Sequence, residues 1–333
     1  MNANKLKENL TALITAQIPV FVWGSPGIGK SSVIRQIAQE QEISCLDLRL
    51  SLLDPTDLKG IPFFDAEAQQ AVWAAPDFLP KDPDSRGILF LDEINTAPPS
   101  VQASAYQLVL DRKVGDYTLP AGWSIVAAGN HESDRGVVYR MPPPLANRFV
   151  HLEMEVSFDA WRHWAYQAGI DSRVIGFLHY DASWLFRFDP TANQKSFPTP
   201  RSWEYVSQIL SSPISPSAHL DVITGAVGRE ASTALMAYLK VMDRLPDIDA
   251  LLAGEAVEVE EDQALLFALI AGIISHLKRT DSLDAVTYVL RFAMTLPKEF
   301  SVMLVKDMQM NAIPVERTAQ WETWVEAFAY LLE

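Results

Sequence analysis

The sequence predicts an α/β fold: a parallel-sheet αβα domain followed by an all-helical region. Three observations predict it. Short, wholly apolar runs alternate with helical patterns as far as about residue 155. A glycine-rich stretch, Gly24-Ser25-Pro26-Gly27-Ile28-Gly29-Lys30-Ser31, joins the first run to the helix after it. From Ser157 onward almost every pattern is helical. The predicted domains are 1–155 and 156–333.

Leu6, Leu10, Leu13 and Ile14 recur at helical spacing and predict an amphipathic first helix. Pro19-Val20-Phe21-Val22-Trp23 reads as a short buried strand, and Ser32-Val33-Ile34-Arg35-Gln36-Ile37-Ala38 as a helix running to about Glu40. Ser44 to Leu50 predicts the second strand. Asp54 to Pro62 is a turn-rich insertion, and Phe63-Phe64 with Ala71-Val72-Trp73 predicts a small hairpin whose aromatics form either a satellite core, the favoured reading, or an exposed contact for clients. Gly87 to Leu91 is apolar throughout, as a strand buried on both faces should be, and ends in Asp92-Glu93. A helix over Val101–Asp111, a second hairpin over Lys113–Leu119 and strands over 123–129 and 149–153 follow. In the second region, helices are predicted from Ser157 to Ala168 and near 202–210, 228–244, 262–278, 281–295, 298–309 and 316–332. Loops are predicted over 190–200 and 211–217, and a solvated acidic segment over 256–262.

Strand, glycine-rich turn and helix together are what a phosphate-binding loop requires. Glycines let backbone N–H groups turn inward around a polyphosphate. Lys30 brings positive charge toward the β- and γ-phosphates, Ser31 offers a hydroxyl to Mg²⁺, and Ser32 opens the helix whose positive end faces the anion. Asp92-Glu93, at the carboxyl end of a parallel strand, should face that loop. Asp92 would hold Mg²⁺, and Glu93 would orient and deprotonate an attacking water. Asn130 ends the next buried strand. Its position alone fits either a turn residue or a group that holds the water or the γ-phosphate.

Other chemistries are not supported. No Asn-Lys-x-Asp, G-x-G-x-x-G, G-x-S-x-G or H-E-x-x-H motif occurs, and the six histidines lack metal-ligand spacing. The 333 residues are 49% apolar, with a net charge of −15, which argues against a nucleic-acid surface on the whole molecule. The lone cysteine, Cys45, allows no internal disulfide and suggests a reducing, cytoplasmic setting. The first residues lead directly into the phosphate-loop strand, so no signal peptide is expected. The longest apolar run, Ala264 to Ile274, is too short to span a membrane.

Three stretches then resemble the MoxR-type AAA+ ATPase family: Glu93-Ile94-Asn95-Thr96-Ala97-Pro98-Pro99-Ser100-Val101-Gln102, Asp54-Pro55-Thr56-Asp57-Leu58-Lys59-Gly60 and Pro142-Pro143-Pro144-Leu145-Ala146-Asn147-Arg148-Phe149. Gly136 and Tyr139 also match. The resemblance covers roughly residues 18–155, with looser features to Arg201. It implies an AAA+ nucleotide-binding domain with a helical lid. Gly24 to Ser31 would be the Walker A loop, Asp92 and Glu93 the Walker B pair, and Asn130 sensor 1. Arg148 would be the arginine finger and Arg201 sensor 2. Residue by residue, Arg148 otherwise reads as a surface arginine at a strand start, and Arg201 as a helix N-terminal residue paired with Glu204. His131 departs from the family, where proline commonly follows the asparagine.

The resemblance implies an ATPase using ATP and Mg²⁺, assembled as a homo-oligomeric ring, commonly of six, that remodels or matures a protein client in the manner of a chaperone. Family members often act with von Willebrand factor A domain proteins. No nucleic acid or membrane partner is expected. The alternatives are a nucleic-acid motor or loader, against which the acidic balance counts, and a nucleotide-gated scaffold of low turnover.

Overall fold

The computed structural model describes residues 1–67, 69–134, 139, 141–192, 194–214, 216–280, 282–328 and 330. The chain divides into two compact units. The first is Met1–Ser157 with Asp189–Asn193, and the second is Phe158–Phe188 with Gln194–Glu333.

The first unit carries helices α1 (Ala3–Thr15), α2 (Lys30–Glu40), α3 (Pro55–Lys59), α4 (Pro99–Asp111) and α5 (Pro143–Ala146). Its strands are β1 (Val20–Trp23), β2 (Ser44–Arg49), β3 (Ile61–Asp65), β4 (Gln70–Ala74), β5 (Arg86–Asp92), β6 (Lys113–Val114), β7 (Tyr117–Thr118), β8 (Gly122–Gly129) and β9 (Val150–Glu153). Five of them form one all-parallel sheet in the order β2-β5-β8-β1-β9. Parallel strands need crossovers, and helices laid over the faces bury both sides, which is why β5 and β8 are apolar almost throughout. Phe21, Leu89, Leu91 and Ile125 are interior. Each such side chain contributes about 1.5–3 kcal/mol over an exposed one. Leu6, Leu10 and Ile14 bury one face of α1, and the Ser124 hydroxyl on β8 donates to the Ile14 carbonyl at 2.7 Å. Asn2 caps the helix through the Lys5 N–H.

The register brings the carboxyl ends together. Trp23 lies level with Gly129 and Glu153, and Arg49 with Asp92. Every loop that follows these residues leaves the same rim of the sheet.

Two antiparallel hairpins, β3-β4 and β6-β7, stand apart from the sheet. They are joined where the Trp73 N–H donates to an Asp116 carboxylate oxygen at 3.1 Å. The satellite core expected here does not form around Phe63 and Phe64. They are 50% and 64% exposed, and Ile61 is 68% exposed. A two-stranded ribbon has two faces, and no layer covers these side chains.

The second unit is helical: α6 (Phe158–Gln167), α7 (Ser172–Tyr180), α8 (Pro200–Ser211), α9 (Pro216–Val227), α10 (Arg229–Leu239), α11 (Ile248–Leu252), α12 (Gln263–Leu277), α13 (Leu283–Ala293), α14 (Lys298–Met310) and α15 (Trp321–Phe328). Helix α12 is apolar around nearly its whole circumference and forms the centre, packed on α7. The helix expected over 228–244 ends at Leu239 and continues as a 3-10 turn to Arg244. The one expected over 316–332 is a 3-10 turn, Val315–Arg317, followed by α15. Among the described residues no helix is long and apolar enough to cross a membrane.

One ionic cluster is enclosed in this unit. Arg162 on α6 lies 3.2 Å from the fully buried Asp307 on α14 and donates to His179 Nε2 on α7 at 2.7 Å. The Tyr166 hydroxyl reaches the other Asp307 oxygen at 3.4 Å. Burial holds Asp307 protonated up to about 6, against the pull of Arg162, and holds His179 neutral down to about 3, helped by the same guanidinium.

Candidate functional site

The site grows from the loop between β1 and α2. Gly29 occupies the cap position of α2 with φ +104, a backbone state that side chains resist, and so lets the chain enter the helix with its N–H groups turned toward the loop. Lys30, the first helical residue, is only 8% exposed. Its ammonium donates to the carbonyls of Gly24 at 2.6 Å and Ser25 at 3.0 Å, and to the Asn130 amide oxygen at 2.9 Å. The loop is thus folded over its own lysine. That lysine reaches across to the end of β8, a hundred residues further along the chain.

Ser31 donates to Asp92 Oδ2 at 2.9 Å. Burial raises the Asp92 pKa, the Ser31 hydrogen bond opposes this, and the nearby charges of Asp47 and Glu93 add to the rise. Glu93 follows in a left-handed conformation, φ +57, unusual for a residue other than glycine. That turn ends β5 and brings the Glu93 N–H back onto Asp92 Oδ1 at 3.0 Å.

Two further residues hold this arrangement and were not singled out from the sequence. The Ser51 hydroxyl, just past β2, donates to Glu93 Oε2. Asn95 is buried and donates from Nδ2 to the Asn130 carbonyl at 2.7 Å, while its own carbonyl accepts from the Tyr139 N–H at 2.7 Å. A side chain at Gly129 would stand 2.3 Å from the Asn95 amide oxygen, so only glycine fits beside it. Ser51 was findable. It follows the strand that pairs with β5, and residues past carboxyl ends of neighbouring parallel strands meet at one rim. Asn95 lies in the signature stretch but gives no local sign of its partner.

The structure therefore gathers Lys30, Ser31, Asp92, Glu93 and Asn130 at one end of the sheet. Arg148 lies on the turn after α5, before the edge strand β9, exposed, with no side-chain hydrogen bond or ion pair among the described residues. Arg201 belongs to the second unit. It is the second residue of α8, behind a capping box made by Thr199 and Ser202, and its expected ion pair with Glu204 is not formed. Gly136, with Arg135 and Arg140, lies outside the described residues.

Residues 19–151 match the sequence model of the ATPase family associated with various cellular activities (AAA). This segment is similar to the ATPase domain of that family. The enzymatic reaction of the chain is the hydrolysis of ATP. Solved structures with a distant likeness include NtrX from Brucella abortus in complex with ADP, at 13% identity over 98% of this chain and 68% of that one, TM-score 0.42. Another is the Thermotoga maritima RuvB Holliday junction branch migration motor, at 18% identity over 75% of this chain and 74% of that one, TM-score 0.38. Likenesses this distant add nothing to the assignment.

Proposed function

We propose that this chain is an ATP-hydrolysing ring ATPase of the MoxR type, hexameric and cytoplasmic, that remodels or matures a protein partner. The AAA ATPase domain supplies the chemistry. The observation that carries the client side of the reading is the β3-β4 hairpin, which holds Ile61, Phe63 and Phe64 in solvent. Exposed aromatics on a projecting ribbon fit a protein contact, and the acidic chain does not fit a nucleic-acid one.

In this reading the backbone of Gly24 to Ser31 wraps the phosphates, and Lys30 offsets the charge on the β- and γ-oxygens. Ser31 and Asp92 suit a hard divalent cation. They are oxygen donors 2.9 Å apart, and Asp92 lies among like charges that a cation would relieve. Among the described residues no cluster of three histidine, cysteine or carboxylate groups could hold a metal, so the remaining ligands would come from phosphate and water. Mg²⁺, when bound, would neutralise charge on the phosphate oxygens. Glu93 would take the proton of the attacking water, and the Ser51 hydroxyl fixes the rotamer from which it does so. Asn130, held by Asn95 and Lys30, would place that water or the γ-phosphate. Arg148, exposed at the sheet edge, would complete the site of the neighbouring subunit, and Arg201 would sense nucleotide from the lid.

Glu93→Gln tests the reading. The amide keeps the size of the side chain but cannot act as a base, so ATP binding should persist while turnover falls on the order of 10²–10⁴-fold. ATP-loaded rings of this variant should retain a protein partner on purification from the native cell. Adding Phe63→Ser and Phe64→Ser should release it. Rings that hold nucleotide but never a partner, with or without those changes, would defeat the client reading and leave the ATPase intact.

A further inference from the structure

We propose that His151 is a positioning residue that ties the base of the phosphate loop to the turn carrying Arg148, so that each subunit's own nucleotide site sets the arginine it offers to its neighbour. The proposal rests on the reading of Arg148 given above.

Trp23 is the last residue of β1 and directly precedes Gly24. Its indole N–H donates to His151 Nδ1 at 2.8 Å. The other ring nitrogen, Nε2, lies 2.8 Å from the carbonyl of Ala146. An indole N–H can only donate and a carbonyl can only accept, so both contacts together require the neutral imidazole with its proton on Nε2. Ala146 ends α5. Its carbonyl also accepts from the Phe149 N–H at 3.2 Å, and the Arg148 N–H donates to Leu145 at 3.0 Å. Arg148 therefore sits inside a single turn that the imidazole grips by one carbonyl. The ring is held in place by Phe21, 5.7 Å between centroids, and by Phe149, edge-on at 6.5 Å.

The indole has a second neighbour. His131 stacks on it at 6.2 Å with 15° between planes, and His131 directly follows Asn130, which binds Lys30. Glu153 Oε1 lies 3.6 Å from His131 Nε2 and steadies that ring from the edge strand. A continuous path thus runs from Asn130 through three rings, His131, Trp23 and His151, to the Arg148 turn, all within the first unit. β9 is an edge strand, so the turn before it has no further strand to brace it. An arginine on such a turn needs a brace if it is to meet a transition state in another subunit.

Mixed rings test this. Finger-donor subunits are made in a Glu93→Gln background, which removes their own turnover and keeps the Lys30–Asn130 contact. One set carries no other change, one adds Arg148→Ala and one adds His151→Phe, which keeps ring packing and deletes both hydrogen bonds. Each is mixed in excess with wild-type subunits, and kcat and KM for ATP of the wild-type sites are measured. The His151→Phe donors should lower kcat of their neighbours about ten- to a hundredfold with KM unchanged, the scale of a misplacement near 1 Å. His151→Gln, whose amide N–H can still reach Ala146, should recover most of that loss. Trp23→Phe replaces His151→Phe if the latter does not assemble, with the same outcomes. His151→Phe donors as effective as donors carrying Glu93→Gln alone, beside failing Arg148→Ala donors, would overturn the proposal and leave the finger standing. Equal loss in the Phe and Gln variants would also overturn it. Fully effective Arg148→Ala donors would overturn both.

Discussion

Asp92 and Asp307 are carboxylates whose pKa burial raises, one in each unit, and their surroundings differ in sign. Asp307 is wholly enclosed and faces the Arg162 guanidinium at 3.2 Å. Asp92 is half-buried at the sheet rim, where the negative Asp47 and Glu93 push its pKa further up and Arg35 is a positive group within reach of its charge. The first carboxylate has its counter-charge inside the fold. Beside the second, Arg35 is hydrogen-bonded to Asp47, and Asp47 and Glu93 still press the Asp92 carboxyl toward its protonated form, a balance that a cation would shift. Burial with a raised pKa does not by itself mark a working group, because a structural ion pair shows both. The sign of the neighbours separates the two cases.

Asp92→Asn should break the comparison most sharply. Turnover should fall on the order of 10²–10³-fold, while thermal stability stays level or rises, because a repulsion is removed. Scanning calorimetry beside a phosphate-release assay would check this, and a clear drop in Tm would make Asp92 structural. Asp307→Asn should do the reverse. It leaves the enclosed Arg162 with only the exposed Asp159, at 3.3 Å, as a carboxylate partner, and losing one partner of a buried pair costs about 3–5 kcal/mol. Urea unfolding followed by tryptophan fluorescence should show this as a lowered midpoint.

Ser51→Ala sharpens the view of the rim from the side of Glu93. The hydroxyl is the side chain seen to hold the carboxylate, so its loss should cost a few-fold in kcat and little in KM. An effect on KM alone would instead place Ser51 in nucleotide binding.

The smallest effect concerns pH. His179 stays neutral down to about 3, whereas an unfolded imidazole takes its proton near 6.5, so between these values the unfolded chain binds more protons. The stability it contributes is complete above 6.5 and is lost as pH falls through that window. Asp307 works in the opposite sense. Its pKa rises from 3.8 to about 6, so its contribution is lost as pH climbs between those values. His179→Phe, beside Phe158 and Phe267, should flatten the acid limb of a Tm-against-pH curve. The remaining slope from pH 6 to 4 should then turn slightly upward on acidification. An unchanged acid limb would show that His179 titrates normally.

The two units were not equally legible in the sequence. In the first, Lys30, Ser31, Asp92 and Asn130 could be placed together in advance. Each stands next to a buried apolar run, and parallel strands bring such ends to one rim whatever the intervening loops do. Of the partners that fix them, Ser51 was within reach, since it follows the strand that pairs with β5. Asn95 carries no local sign of its partner, and His151 reads as one more polar residue on a short strand. The hairpin aromatics were expected to pack, but Phe63 and Phe64 belong to a ribbon that lacks a second layer. In the second unit α7 went unread although Val174, Ile175, Phe177 and Leu178 are buried, because Gly176 in its middle looks like a breaker. Helix α9 begins at Pro216, inside a stretch read as loop. A proline is well tolerated in the first turn of a helix, where its missing N–H would have no partner anyway.

The left-handed backbone at Glu93 bears on how this enzyme could be lost. Glutamate pays a conformational penalty of about 1–3 kcal/mol at such a position and adds its charge beside Asp92. Glycine or asparagine there would relax the backbone and remove the repulsion at a single step, giving a sturdier protein that binds ATP and does not turn it over. Random drift at residue 93 therefore runs downhill in stability toward a silent ATPase. If Glu93 is the proposed base, only selection for turnover keeps the glutamate there.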